Sequence, residues 1–209
     1  MKVTITRLYD DYYTASHAVA DLEAAGLSSS DISLIASNAD NWYEDKSKKI
    51  VDRDHDGVDG RVEGAEVGAS IGAAIAGGAS LLAGLGVLAI PGLGPVVAAG
   101  WLVATGVGAV AGGAAGGIIG ALTQMGVSRD EAEVYVEGVR RGGTLLSARV
   151  PLEDRGRYEA ILNKSSVDIT DRAETYRNSG WSGFDPEAPA YTAEEIRRER
   201  DSSGRIGTP

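Results

Sequence analysis

Residues Asp52-Arg53-Asp54-His55-Asp56-Gly57-Val58-Asp59-Gly60-Arg61-Val62-Glu63 carry the spacing D-x-D-x-D-G with a glutamate at the twelfth position. In a calcium loop of the EF-hand type, carboxylates so spaced surround the ion and the sixth-position glycine allows the turn. The ligands would be Asp52, Asp54, Asp56 and Glu63, and neutralising them would ease approach to anionic lipid headgroups. Two features oppose a calcium site. The eighth position, normally apolar and paired with a second loop, is Asp59, and the sequence holds no second loop of this kind. The competing reading, which the sequence favours, is a solvated acidic linker. Weakly held calcium is the one cofactor the sequence brings into view, and no other is expected.

The remaining candidates for chemistry are thinner. Gly84-Leu85-Gly86-Val87-Leu88-Ala89 and Gly106-Val107-Gly108-Ala109-Val110-Ala111 both read G-x-G-x-x-A, but neither follows a strand inside a βαβ unit, as a dinucleotide site requires. G-x-x-x-x-G-K-[ST] does not occur. His17 and His55 lie far apart without a recognisable nucleophile or third partner. Asp10-Asp11 and Asp130-Glu131 fall at expected helix starts and Arg140-Arg141 at a helix end, where the helix dipole favours them. The chain has no cysteine, which removes thiolate chemistry and disulfides and fits a reducing compartment. No catalytic residues emerge, and the expectation is a protein that is not an enzyme.

The elements that would position these residues follow from composition and periodicity. With 30 acids against 20 bases over 209 residues, the formal charge of −10 repels nucleic acid, so none is expected as a partner. Lys2 to Tyr9 alternates apolar with polar residues and reads as a strand rather than a signal peptide. Ala15, Ala18, Val19 and Leu22 recur at helical spacing before Gly26, and Ile32, Leu34 and Ala36 form a second alternating strand. After Ser128-Arg129-Asp130-Glu131, a capping box, come a helix with Ala132, Tyr135 and Val139 inward, a strand over 144–150, a helix with Tyr158, Ile161 and Leu162, and a short strand over 167–169. Thr192-Ala193-Glu194-Glu195 offers a second capping box in a tail where Trp181 and Phe184 stand between turn residues.

The expected fold class is α+β: a ferredoxin-like βαββαβ sandwich, four antiparallel strands with helices on one face, interrupted between its second and third strands by a long glycine-zipper helical hairpin. The segments are 1–37, first half of the sandwich; 38–61, acidic linker with marginal helix over 42–51; 62–127, the hairpin; 128–172, second half; and 173–209, a largely flexible tail.

From Val67 through Ser128 there is no charged residue, a run of sixty-two in which Pro91 and Pro95 bracket a turn between two apolar arms. Gly68, Gly72 and Gly84 in the first arm, and Gly100, Gly108, Gly112, Gly116 and Gly120 in the second, belong to small-xxx-small stripes and are the expected oligomer interface. The two arms hold six and eight glycines, each costing about 1 kcal/mol against alanine in a water-exposed helix. The arms therefore need an apolar enclosure. In hydrocarbon the backbone has no other partner, and about 20 residues span a bilayer core. Leu81, Leu82, Leu85, Leu88, Trp101 and Leu102 flank the turn and are the expected membrane residues. The partners expected are membrane lipid and the chain itself as a homo-oligomer, on the cytoplasmic side of the inner membrane or in the cytoplasm. The alternative is a soluble homo-oligomeric assembly with the zipper hairpins buried inside it.

Ile5-Thr6-Arg7-Leu8-Tyr9-Asp10, Leu22-Glu23-Ala24-Ala25-Gly26 and Asp31-Ile32-Ser33-Leu34 resemble the opening of the bacterial heat-induced stress protein YflT domain, also called general stress or low-temperature-induced protein. The turn Ala89-Ile90-Pro91-Gly92-Leu93-Gly94-Pro95-Val96 is similar to that family, as are Gly180-Trp181 and Gly183-Phe184-Asp185-Pro186. The resemblance covers most of residues 1 to 190. It implies a stress-responsive, non-catalytic protein with a glycine-zipper hairpin, and it supplies no catalytic residues.

Overall fold

The computed structural model describes residues 1–39, 41, 43, 81–90, 93–103 and 114–204. Its centre is a five-stranded sheet in the order β1-β5-β2-β4-β3, antiparallel at every pairing. The strands are β1 (Lys2–Tyr9), β2 (Ile32–Ser37), β3 (Gly86–Ile90), β4 (Gly94–Gly100) and β5 (Thr144–Pro151). The helices are α1 (Tyr12–Ala24), α2 (Ala114–Gln124), α3 (Arg129–Arg140), α4 (Arg155–Asn163), α5 (Ile169–Asn178) and α6 (Ala193–Gly204). The expected class, α+β on an antiparallel sheet, is what forms.

The opening unit follows from its residues. Asp11 caps α1 by accepting from the Thr14 N–H at 2.8 Å, and the four expected positions, Ala15, Ala18, Val19 and Leu22, are its buried ones. Gly26 takes φ +95° just past the helix, and the Leu27 N–H returns to the Leu22 carbonyl. The chain thereby reverses into β2. Every residue of β2 is buried, because it lies inside the sheet with helices over both faces.

Those two faces define two cores. On one side α1 and α4 cover Ile5, Leu34, Ala36, Val97, Leu146 and Ala148. On the other, α2 and α3 cover Leu8, Ile35, Val96, Ala98 and Leu145. The single helical layer expected from sequence is thus corrected to two. The strip of sheet that would have faced water is apolar and has to be covered.

Two further expectations are corrected. Residues 86–90 and 94–100, read as parts of the helical arms, are the β3–β4 hairpin, with Val87 opposite Val97 and Leu88 opposite Val96. β-Branched valines suit a pleated surface and glycines weaken a helix, so the docked sheet edge outweighs helical spacing here. The strand expected over 167–169 does not form either. Val167 gives one N–H to the Leu8 carbonyl at 2.8 Å, and Asp168 then caps α5 through the N–H groups of Thr170 and Asp171.

The capping residues divide similarly. Ser128 accepts from the Glu131 N–H as expected, but the Glu131 carboxylate accepts from the Tyr135 hydroxyl instead of reaching back. Thr192 and Glu195 complete both halves of their box. Residues 173–209, expected to be a largely flexible tail, carry the later part of α5 and all of α6. Tyr176 and Ala173 pack on Val134 of α3 with Trp181 beside them, and Phe184 joins the second core.

Candidate functional site

Within the uncharged run, the described residues include the 3-10 turn over Leu81–Gly84, the β3–β4 hairpin and α2. β4 runs beside β2 with Ser33 opposite Gly100 and Leu34 opposite Ala99. Gly100 has φ +95°, and a Cβ there would sit 2.3 Å from the Ile32 carbonyl oxygen. This position therefore needs glycine for its own strand crossing, independently of any zipper.

The six residues expected to enter lipid are turned toward the body of the chain. Leu81, Leu85 and Leu102 are buried, Leu82 packs against the first core, and Leu88 and Trp101 against the second. The Leu81 N–H donates to the Glu23 carboxylate at 2.8 Å, and the Tyr43 hydroxyl donates to the Leu85 carbonyl at 2.7 Å. Trp101 stacks under the Arg149 guanidinium at 4.7 Å and gives its indole N–H to the Asp31 carbonyl. Among the described residues, no helix is long and apolar enough to cross a membrane.

The zipper residues fall into three groups. Gly84 closes a 3-10 turn over Leu81–Gly84, and Gly100 ends β4. Gly116 and Gly120 lie one turn apart on α2, and a Cβ on either would meet no atom of the described residues within 4 Å. They border an open depression of about 400 Å3 with Ile119, Thr123, Gln124 and Arg129. Gly68, Gly72, Gly108 and Gly112 lie outside the described residues, as do Asp52, Asp54, Asp56 and Glu63 of the acidic loop. Among the described residues, no group of three or more acidic or histidine side chains is placed to hold a metal ion.

A cluster that sequence reasoning missed sits where α3 ends. Glu137, 1% exposed, accepts from Arg141 Nε at 2.7 Å and lies 3.5 Å from Arg140. Arg141 also reaches Glu199 of α6 at 3.0 Å and stacks on the Tyr176 ring at 4.2 Å. Burial works against the Arg141 charge, but hydrogen bonds to Glu137 and Glu199 more than offset it and raise its pKa. Beside it a cleft of about 190 Å3 is lined by Asp10, Asp11, Arg141, Arg172, Tyr176 and Glu199 among others. Arg172 pairs with Asp10 at 2.6 Å. Burial pushes the Tyr176 hydroxyl up to about 12, against the pull of Arg172 and Arg141. The cleft joins opposite charges from the β1–α1 turn, the end of α3, α5 and α6, and its chemistry is that of a clamp holding the tail. The signal was present in the i, i+4 spacing of Glu137 and Arg141, which helix-end position alone had appeared to explain.

His17 lies on α1, where with Thr14, Asp21 and Lys164 it borders a shallow depression. The nearby Tyr9 hydroxyl donates to the Leu162 carbonyl at 2.8 Å, and burial raises its pKa. The Tyr135 hydroxyl reaches both the Thr6 carbonyl and Glu131, and burial raises its pKa too. Both tyrosines are thus committed to structural hydrogen bonds. In comparisons with protein-family models, with curated proteins and with solved structures, the chain matches none.

Proposed function

We propose that this chain is a non-catalytic protein that works by assembling with copies of itself, its α+β body carrying an uncharged, glycine-rich surface as the associating element. The observation that supports this reading most is the outer face of α2. A Cβ at Gly116 or Gly120 would meet none of the described residues there, and each glycine weakens the helix by about 1 kcal/mol relative to alanine. A neighbouring helix that approaches such a stripe closely recovers that loss as packing, which larger side chains would prevent. The sequence extends the same spacing to Gly112 and Gly108. The resemblance to the stress-protein family supplies the setting: an assembly that serves a bacterial cell under stress.

The soluble assembly fits the geometry better than a lipid-inserted hairpin, because Leu81, Leu85 and Leu102 are already buried. Lipid association keeps one supporting observation, the absence of charge from 67–80 and 104–113. Light scattering without detergent tests the first reading. A uniform particle larger than the 21.6 kDa monomer is expected, and a monomer at every concentration would refute it. Flotation with anionic liposomes, with and without Ca2+, separates the second, which requires the protein to rise with the vesicles.

A further inference from the structure

The two edges of the sheet are treated differently. On β1 two of the outward carbonyls have partners: Thr6 accepts from Arg7 at 2.8 Å and from the Tyr135 hydroxyl, and Leu8 accepts from Val167. Lys2 and Thr4 add polar side chains to that edge. Among the described residues β3 has none of these devices. Its sequence, Gly86-Val87-Leu88-Ala89-Ile90, is uncharged and lacks proline, and its residues pair one for one with β4 without a bulge. Natural edge strands are normally guarded by charge, proline or a bulge, because a bare one is a template for another strand.

The register shows which groups are bare. The Pro95 carbonyl accepts from the Asn38 N–H at 2.8 Å, so Pro95, Val97 and Ala99 turn their backbone polar groups toward β2. Gly94, Val96 and Ala98 therefore turn theirs toward β3, where they oppose Ile90, Leu88 and Gly86. Val87 and Ala89 are left with N–H and C=O directed away from β4. Among the described residues neither of these two has a partner, and Val87 is 43% exposed.

We infer that the β3 edge is a homotypic interface, occupied by β3 of a second copy running antiparallel. A two-fold axis through Leu88 places Val87 of each copy opposite Ala89 of the other, so the bare donors and acceptors satisfy one another and two sheets become one of ten strands. The symmetry of these groups about Leu88 argues for a second copy of this strand as the occupant. Two molecules of net charge −10 repel over most of their surface, and β3 brings them together along a segment with no charge on either side. The inference rests on the self-association reading but uses a different surface from the α2 glycines. A chain with two self-complementary surfaces builds assemblies larger than a dimer.

The test compares Ala89→Pro and Val87→Lys with the combined Gly116→Leu/Gly120→Leu variant, each checked for folding by circular dichroism and sized by light scattering. Proline at 89 removes an outward N–H and spares the β3–β4 ladder, and lysine at 87 restores the guard that natural edges carry. The expected result is that either edge variant stays folded while its particle mass falls at least twofold. Backbone hydrogen exchange on the unmodified chain gives a second readout that does not depend on a variant folding. The Val87 and Ala89 amides should exchange as slowly as those of Leu88 and Val96. Folded edge variants of unchanged mass, or fast exchange at Val87 and Ala89 in the assembled protein, would overturn the inference. If those results came with loss of assembly in the α2 variant, self-association through the α2 glycines would stand and the edge alone would fall. A wild-type chain that never assembles would remove both.

Discussion

Gly100→Ala separates the strand from the helical arm by the sign of its effect. In the sheet, residue 100 has φ +95°, and an L side chain there costs about 1–3 kcal/mol. The new methyl would also lie 2.3 Å from the Ile32 carbonyl oxygen and 2.6 Å from Ser33 Cα, both backbone atoms, so β2 and β4 would have to separate. Overpacking of that kind adds about 1–3 kcal/mol, and the reduced freedom of the unfolded chain returns about 0.4–1 kcal/mol. The net expectation is a loss of about 3 kcal/mol, which for a chain of this size lowers Tm by about 6–12 °C. Were residue 100 inside a helix, the same substitution would stabilise by about 1 kcal/mol. Urea unfolding followed by circular dichroism, at matched protein concentration because assembly contributes to stability, measures the difference. A variant as stable as the wild type, or more stable, would refute the placement of β4 against β2.

The remaining predictions use the same unfolding assay. Gly116→Ala and Gly120→Ala, whose methyls would meet none of the described residues, should each stabilise the monomer by about 1 kcal/mol; destabilisation of a dilute monomer would show that α2 is packed differently. Glu137→Gln leaves the buried Arg140 and Arg141 facing a neutral group, and should cost about 3–5 kcal/mol. Glu199→Gln, at the more exposed end of the cluster, should cost under about 1 kcal/mol; equal effects would contradict the ranking by burial. Tyr176 has its pKa raised to about 12 in the folded state, chiefly by burial, against about 10 unfolded. Above pH 10 the unfolded chain releases this proton first, so stability is complete below about pH 10 and falls as pH rises toward 12. Tyr9 and Tyr135, raised in the same direction by burial, add to the fall, and a flat urea midpoint across that window would contradict the burial of these hydroxyls.

The sequence was legible where periodicity and capping residues agree. Asp11, the Ala15-Ala18-Val19-Leu22 stripe and Gly26 define α1 without ambiguity, and Ala132, Tyr135 and Val139 give the inward face of α3. The class of fold followed from those units. Where it misled, two signals overlapped. A small residue every fourth position reads as a helical stripe, but Val87, Val96 and Val97 in the same segment are strand formers, and the Pro91–Pro95 turn joins strands as readily as helices. Spacing alone puts Gly100 in a helical stripe, whereas the close approach of Ile32, far away in sequence, explains it. The missing strand over 167–169 was lost to local chemistry, since Asp168 is a better helix cap than a strand residue. Pairing across the chain also hid the tail clamp: Arg141 meets Glu199 fifty-eight residues later, a contact that no local pattern encodes.

Placement of the uncharged hairpin inside the sheet is the claim on which the rest depends, and a chain without cysteine allows a direct test. Ile35 and Ala98 are register partners on β2 and β4, both buried on the α2–α3 face. Their backbone polar groups point to the outer neighbours, so they form the closer type of antiparallel pair, with Cα atoms about 4.5 Å apart and within disulfide reach. The double variant Ile35→Cys/Ala98→Cys should form an intramolecular disulfide under mild oxidation, measured as loss of thiol labelling. The slipped pair Ile35→Cys/Val97→Cys, whose side chains leave opposite faces of the sheet, should keep both thiols. Equal oxidation of the two pairs, or free thiols in both, would contradict the strand register and with it the account of how the neutral segment is buried.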